Sequence, residues 1–124
     1  MNTPTANIAL DPAARREAER LVLKCGIHAN LKGFSRLIDA VVLYGAHDYT
    51  LCELYRTIAE LRSLKPKTVI REISYALSQS PRLEKRLSEL VGSVFCSDEI
   101  HSGLVIAALA TLLKSKHAAR DVKT

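Results

Sequence analysis

The chain contains no tryptophan, only 5 % aromatic residues, five glycines and four prolines in 124 residues. Such sparse Gly and Pro exclude collagen-like and low-complexity classes. The β-branched residues do not fall in alternating runs, so half-buried strands are not expected. No stretch of about 18 apolar residues occurs, so no membrane span is expected. The first ten residues, MNTPTANIAL, lack both a basic start and an apolar core, so they are not a signal peptide. The three cysteines, Cys25, Cys52 and Cys96, are odd in number and widely spaced, with no CxxC. They argue against a disulfide framework and suit small core thiols, Cys52 included, in a reducing cytoplasm.

Catalytic and metal patterns are equally scarce. Cys25 and His28 have a local ligand spacing, but neither they nor His47, His101 and His117 form a second pair to complete a tetrahedral site. There is no Ser-His-Asp order and no Gly-rich phosphate loop. Asp98 and Glu99 read as a charge pair at a helix start rather than a catalytic dyad. No enzyme activity, no cofactor and no metal are therefore expected.

What the chain does contain is 48 % hydrophobic residues in a composition led by Leu, Ala, Lys, Arg and Glu. That favours one all-α domain with a substantial core. Residues 1–10 read as a mobile leader, 11–116 as the helical domain and 117–124 as a basic, frayed tail. Asp11 and Pro12 start a first helix, which stops at Gly26. A second spans 34–44, with Phe34, Leu37, Ile38, Val41 and Val42 inward and Gly45 as its stop. Ser80 and Pro81 open a fifth, with Leu83, Leu87 and Leu90 inward and Gly92 as its end. Residues 93–102 are an irregular bridge. The last helix, 103–114, is apolar almost all round.

Residues 50–80 organise the rest. Thr50 followed by Glu53 fits a capping box. Leu51, Leu54, Ile58 and Leu61 form one stripe of a third helix. Residues 62–65 are a short polar break with Leu64 inside it, and Pro66 suits the first turn of a fourth helix. There Val69, Ile73, Ala76 and Leu77 share a stripe. Lys67, Arg71, Ser74 and Ser78 fall opposite, with Tyr75 at the edge. Two helices joined by a tight turn, the second with a basic outer face, give the pattern of a helix-turn-helix. Residues 62–86 hold seven basic and two acidic side chains, a net +5 that equals the charge of the whole chain. One basic region on a neutral body is an electrostatic footprint for a polyanion. The plainer alternative is an αα-hairpin with a solvated face.

Several segments together resemble a known family. They are IHANLKGFSRLIDAV, LYRTIA, KTVIREISYAL and LSELVG, followed by the closing apolar helix. In this order they are similar to the DNA-binding effector domains of the bacterial sporulation master response regulators, the stage zero sporulation protein A family. The similarity spans 23–113, and LKGF is its most specific part, because helical patterning does not force Lys-Gly-aromatic at a helix start. The resemblance implies a compact domain of six helices whose fourth enters the major groove. Arg71 matches a basic family position, whereas Thr68, Ile70 and Ser74 stand where the family has charged residues. Family members usually carry a phosphorylatable receiver domain ahead of this one. Only about twenty residues precede the similar region here, so no aspartate-phosphorylation switch is inferred from the resemblance.

The expected function is sequence-specific recognition of double-stranded DNA by a cytoplasmic transcriptional regulator. The expected contacts are Lys67 and Arg71 on base edges, with Ser74 and Tyr75 in support. Lys65 and Thr68 hold phosphates near the helix start, and Arg82, Lys85 and Arg86 add basic contacts. RNA polymerase or another regulator are further candidate partners. The apolar surplus of residues 104–113 offers a surface for weak pairing of two copies on DNA. The alternative is a protein-interaction module of the same fold that modulates a regulator, which the uncharged Thr68, Ile70 and Ser74 keep open.

Overall fold

The computed structural model describes residues 11–46, 49–92 and 101–123, with side chains described as far as Lys114. The expected leader, His47, and the part of the bridge with Cys96, Asp98 and Glu99 lie outside the described residues. Among the described residues six helices follow one another: α1 Pro12–Lys24, α2 Lys32–Ala46, α3 Leu51–Arg62, α4 Pro66–Ser78, α5 Leu83–Val91 and α6 Ser102–Lys123. No strand occurs among the described residues, and the fold is all-α as expected.

Local chemistry sets most of the boundaries. Asp11 accepts the Ala14 N–H at 3.3 Å, and Pro12 takes the first turn of α1. Gly26 ends that helix at φ 83°, a conformation open to glycine without steric cost. The capping box of α3 is complete. Glu53 N–H donates to Thr50 Oγ1 at 3.2 Å, and Thr50 N–H donates to Glu53 Oε1 at 3.3 Å. At the other end Ser63 turns left-handed at φ 57°, and Leu64 N–H reaches back to the Ala59 carbonyl at 2.8 Å. The chain then enters α4 through Pro66, with Lys65 at the N-cap.

α2 is the centre of the packing and touches α1, α3, α4 and α6. Phe34, Leu37, Ile38, Ala40, Val41, Val42 and Leu43 are all buried along it. Gly45 does not stop α2. It lies within the helix, where a Cβ would sit 3.8 Å from Ala110 of α6. α6 runs on to Lys123, past the expected tail boundary. Its Val105, Ile106, Leu109, Ala110 and Leu113 are buried, and Leu104 and Leu112 are half-buried. Most of the apolar surplus of α6 thus packs into the domain, and Leu104, Ala108 and Leu112 keep a partly open face. Leu51 and Cys52 also differ from expectation, since both are exposed. α3 turns Leu54, Tyr55, Ile58 and Ala59 inward instead, and Leu51 lies over Gly103 at the rim. No helix among the described residues is long and apolar enough to cross a membrane.

Two features fix α4 against this core. Val69, Ile73 and Ala76 are buried, each larger side chain contributing about 1.5–3 kcal/mol. Opposite them is Gly33 of α2, where a Cβ would come 2.1 Å from the Glu72 carbonyl oxygen and 2.6 Å from the Ala76 Cβ. The two backbones cross so closely that only hydrogen fits. The Lys-Gly-aromatic segment at the start of α2 is therefore a helix-crossing site.

Candidate nucleic-acid interface

Two sets of basic residues differ in their surroundings. One set surrounds Asp39, which is fully buried in α2. Arg62 of α3 grips it twice, Nε to Oδ2 at 2.8 Å and Nη2 to Oδ1 at 2.6 Å. Arg15 of α1 donates Nη1 to Oδ1 at 2.6 Å. Arg36 approaches Oδ2 at 3.9 Å and places Nε 3.2 Å from Glu72 Oε1 on α4. A buried carboxylate without such partners carries a large desolvation cost. Its hydrogen bond to Arg62 raises the pKa of that guanidinium above its usual value. Arg62 lies in the basic window of the sequence, but its side chain serves buried Asp39.

The second set is exposed. Lys67, Arg71, Ser74 and Ser78 emerge on the outer face of α4, and Tyr75 is 55 % exposed beside them. Lys65 is exposed at the N-cap, and Thr68 is half-buried on the flank. The side chains of Lys65, Lys67, Arg71, Ser74 and Tyr75 make no hydrogen bond or ion pair among the described residues. Ser78 instead donates to the Tyr75 carbonyl at 2.7 Å. Ile70 is 42 % exposed on the same helix. A ridge of unspent donors and cations on one helix is chemically able to meet phosphate oxygens and base edges.

A hollow flanks the ridge on each side. One, about 410 Å³, lies between residues 30–33 and Arg71, Glu72 and Tyr75. The other, about 320 Å³, is lined by Ser74, Leu77, Ser78, Leu83, His101 and Ser102. His101 caps the start of α6, its Nδ1 accepting the Leu104 N–H at 3.3 Å. Asn30, Lys32, His101 and Ser102 were not among the residues expected at the site. No local pattern marks them, because the close crossing at Gly33 and the approach of α6 bring them there.

Arg82 at the N-cap of α5 and Lys85 and Arg86 along it are exposed, as expected. Arg86 is not gathered into either hollow. It lies against the Gly26 bend, its Cδ 3.1 Å from where a Cβ would sit, and lines a separate depression with Lys24, Glu89 and Leu90. Nearby Cys25 is fully buried, and burial pushes its thiol up to about 11, with Arg86 partly opposing the rise. His28 is exposed. Comparison of the chain with protein-family models, with curated proteins and with solved structures finds no match.

Proposed function

We propose that the protein is a sequence-specific duplex-DNA-binding regulator, with α3 and α4 as its helix-turn-helix and α4 as the helix that enters the major groove. The observation that carries this is the division of the cations. Three arginines gather at Asp39, while Lys65 at the N-cap and Lys67 and Arg71 on α4 form no ion pair among the described residues. A helix with its side chains is about 10–12 Å across, which matches a major groove about 12 Å wide. Arg71 forks onto a guanine and Lys67 reads a neighbouring base edge. Ser74 and Tyr75 supply hydrogen bonds to bases or sugar. Lys65 and Thr68 hold phosphates at the N-terminal end of α4, and Arg82, Lys85 and Arg86 add longer-range attraction.

A second reading, a surface that binds another regulator or RNA polymerase, is favoured by one observation. Ile70 and Tyr75 expose apolar area on α4, as anchors of protein interfaces do. Weak pairing of two copies on adjacent half-sites would draw on the partly open face of α6 at Leu104, Ala108 and Leu112. Selection from a random duplex pool, together with genome-wide immunoprecipitation of the tagged protein, separates the two readings. An enriched motif and focal peaks support DNA recognition. Failure to enrich any sequence, with no focal peaks, supports the protein-binding alternative.

A further inference from the structure

The hollow on the α2 side of α4 has features that the helix pair alone does not account for. Its far bank is built by Asn30 and Lys32, and its near bank by Arg71 and Tyr75, with Leu31 and Gly33 between. The crossing at Gly33 is what brings these banks together. The α2 backbone there lies against the Glu72 carbonyl, so the preceding Lys32 is carried to the flank of α4. Lys32 and Asn30 are exposed. Neither side chain makes a hydrogen bond or ion pair among the described residues. The one acidic side chain in the hollow, Glu72, is held by Arg36 at 3.2 Å, so its charge is answered from within the fold. The hollow therefore presents two uncompensated cations, an amide and a phenol around an apolar floor.

A duplex that takes α4 into its major groove carries a sugar–phosphate strand past each side of that helix. The strand on the α2 side has to pass over this hollow. Its charge, donors and apolar floor fit phosphates and the deoxyribose between them. We infer that this hollow is a track for one DNA strand, with Lys32 and Asn30 as phosphate contacts supplied by the loop and start of α2. The inference rests on the reading of α4 given above, and it extends the interface to a part of the chain outside the basic window 62–86.

The experiment uses the whole chain and the duplex selected as its best site. Binding is measured over a salt series for wild type, Lys32→Ala, Lys32→Gln, Asn30→Ala and Arg71→Ala, each checked for an unchanged helical spectrum and melting temperature. Lys32→Ala is expected to weaken every sequence by the same factor, about three- to tenfold at low salt, and to reduce the salt slope by about one. Neutral methylphosphonates are then placed one at a time along the site. At one or two positions the substitution should weaken wild type but leave Lys32→Ala unchanged. Wild-type binding that falls with Arg71→Ala but not with either Lys32 variant overturns the track alone. Capture of a free deoxynucleoside monophosphate through Lys32, with duplex binding unchanged in the variant, also overturns it. Failure of wild type to bind any duplex at low salt overturns the reading of α4 itself.

Discussion

Arg62 closes α3 and Arg71 lies in the middle of α4, and the fold uses them in opposite ways. Arg62, with Arg15 and Arg36, neutralises Asp39 inside the domain. Arg71, with Lys67 and Lys65, is held by nothing among the described residues and faces solvent. The difference separates formal charge from available charge. Arg62 leaves the basic window to serve Asp39, yet Arg36 from outside the window answers Glu72. The two corrections offset, so the basic character of α4 survives for a reason that a residue count does not contain. The interior set also joins four helices, since Arg15, Arg36 and Arg62 reach Asp39 from α1, α2 and α3, and Arg36 continues to Glu72 on α4. One set of cations links the helices of the platform, and the other is presented by it.

The comparison breaks most sharply at Asp39. Asp39→Ala leaves three guanidinium groups facing one another around a buried vacancy. Urea denaturation should show a loss of about 3–5 kcal/mol, whereas Arg71→Ala should change stability by no more than about 0.5 kcal/mol. Similar stability losses from the two would erase the division. Next comes Gly33→Ala, whose methyl would collide with the Glu72 carbonyl at 2.1 Å. Overpacking of this kind costs about 1–3 kcal/mol, and it should also weaken DNA binding by displacing α4. A stable Gly33→Ala protein with intact binding would show that the crossing does not set the site. On the presented set, Arg71→Ala should cost about 1–3 kcal/mol of binding on a specific site and relax the preference at one base pair. Lys85→Ala should weaken all sequences alike. Equal, sequence-independent losses from both would reduce Arg71 to a phosphate contact.

Arg86 gives the smallest and most graded test, because it lies between the two sets, exposed yet close to buried Cys25. Burial raises the Cys25 thiol from 9.0 to about 11, with Arg86 opposing. The folded state therefore holds the thiol proton more tightly than the unfolded chain does. Its contribution to stability is complete below pH 9 and is lost as pH rises from 9 through about 11. The loss should reach about 1 kcal/mol by pH 10. Denaturation at pH 8 and pH 10 checks it. Cys25→Ala should remove this component, and Arg86→Ala should enlarge it only above pH about 11, where the folded thiol itself titrates. A component that survives Cys25→Ala belongs to another group.

Local chemistry was legible in the sequence. Asp11 with Pro12, Thr50 with Glu53, Gly26, Pro66 and Gly92 each mark a helix end through contacts within a few residues, and the structure has them in those roles. The buried stripe of α4 was legible for the same reason, since Val69, Ile73 and Ala76 follow the helical period. Long-range geometry was not. Asp39 looks like any charged residue in an apolar helix until Arg15 and Arg62 arrive from α1 and α3. Gly33 reads as a loop residue until α4 lies on it. Leu51 and Cys52 follow an apolar pattern that the first turn of α3 leaves at the surface. At the candidate interface, the outer residues of α4 were legible from the helical wheel. Asn30 and Lys32 were not, because their place depends on a crossing between helices distant in sequence.

The central claim is that the exposed cations around α4 meet a polyanion while the Asp39 arginines do not. Its most direct test is the salt dependence of binding to a random-sequence duplex by wild type, Lys67→Ala with Arg71→Ala, and Arg15→Gln. Wild-type affinity should fall linearly on logarithmic axes, with a slope corresponding to about four to six phosphate contacts. The double variant should lower that slope by about two, and Arg15→Gln should leave it unchanged while lowering the melting temperature. No duplex binding by wild type at low salt, or equal slopes for wild type and the double variant, would contradict the claim.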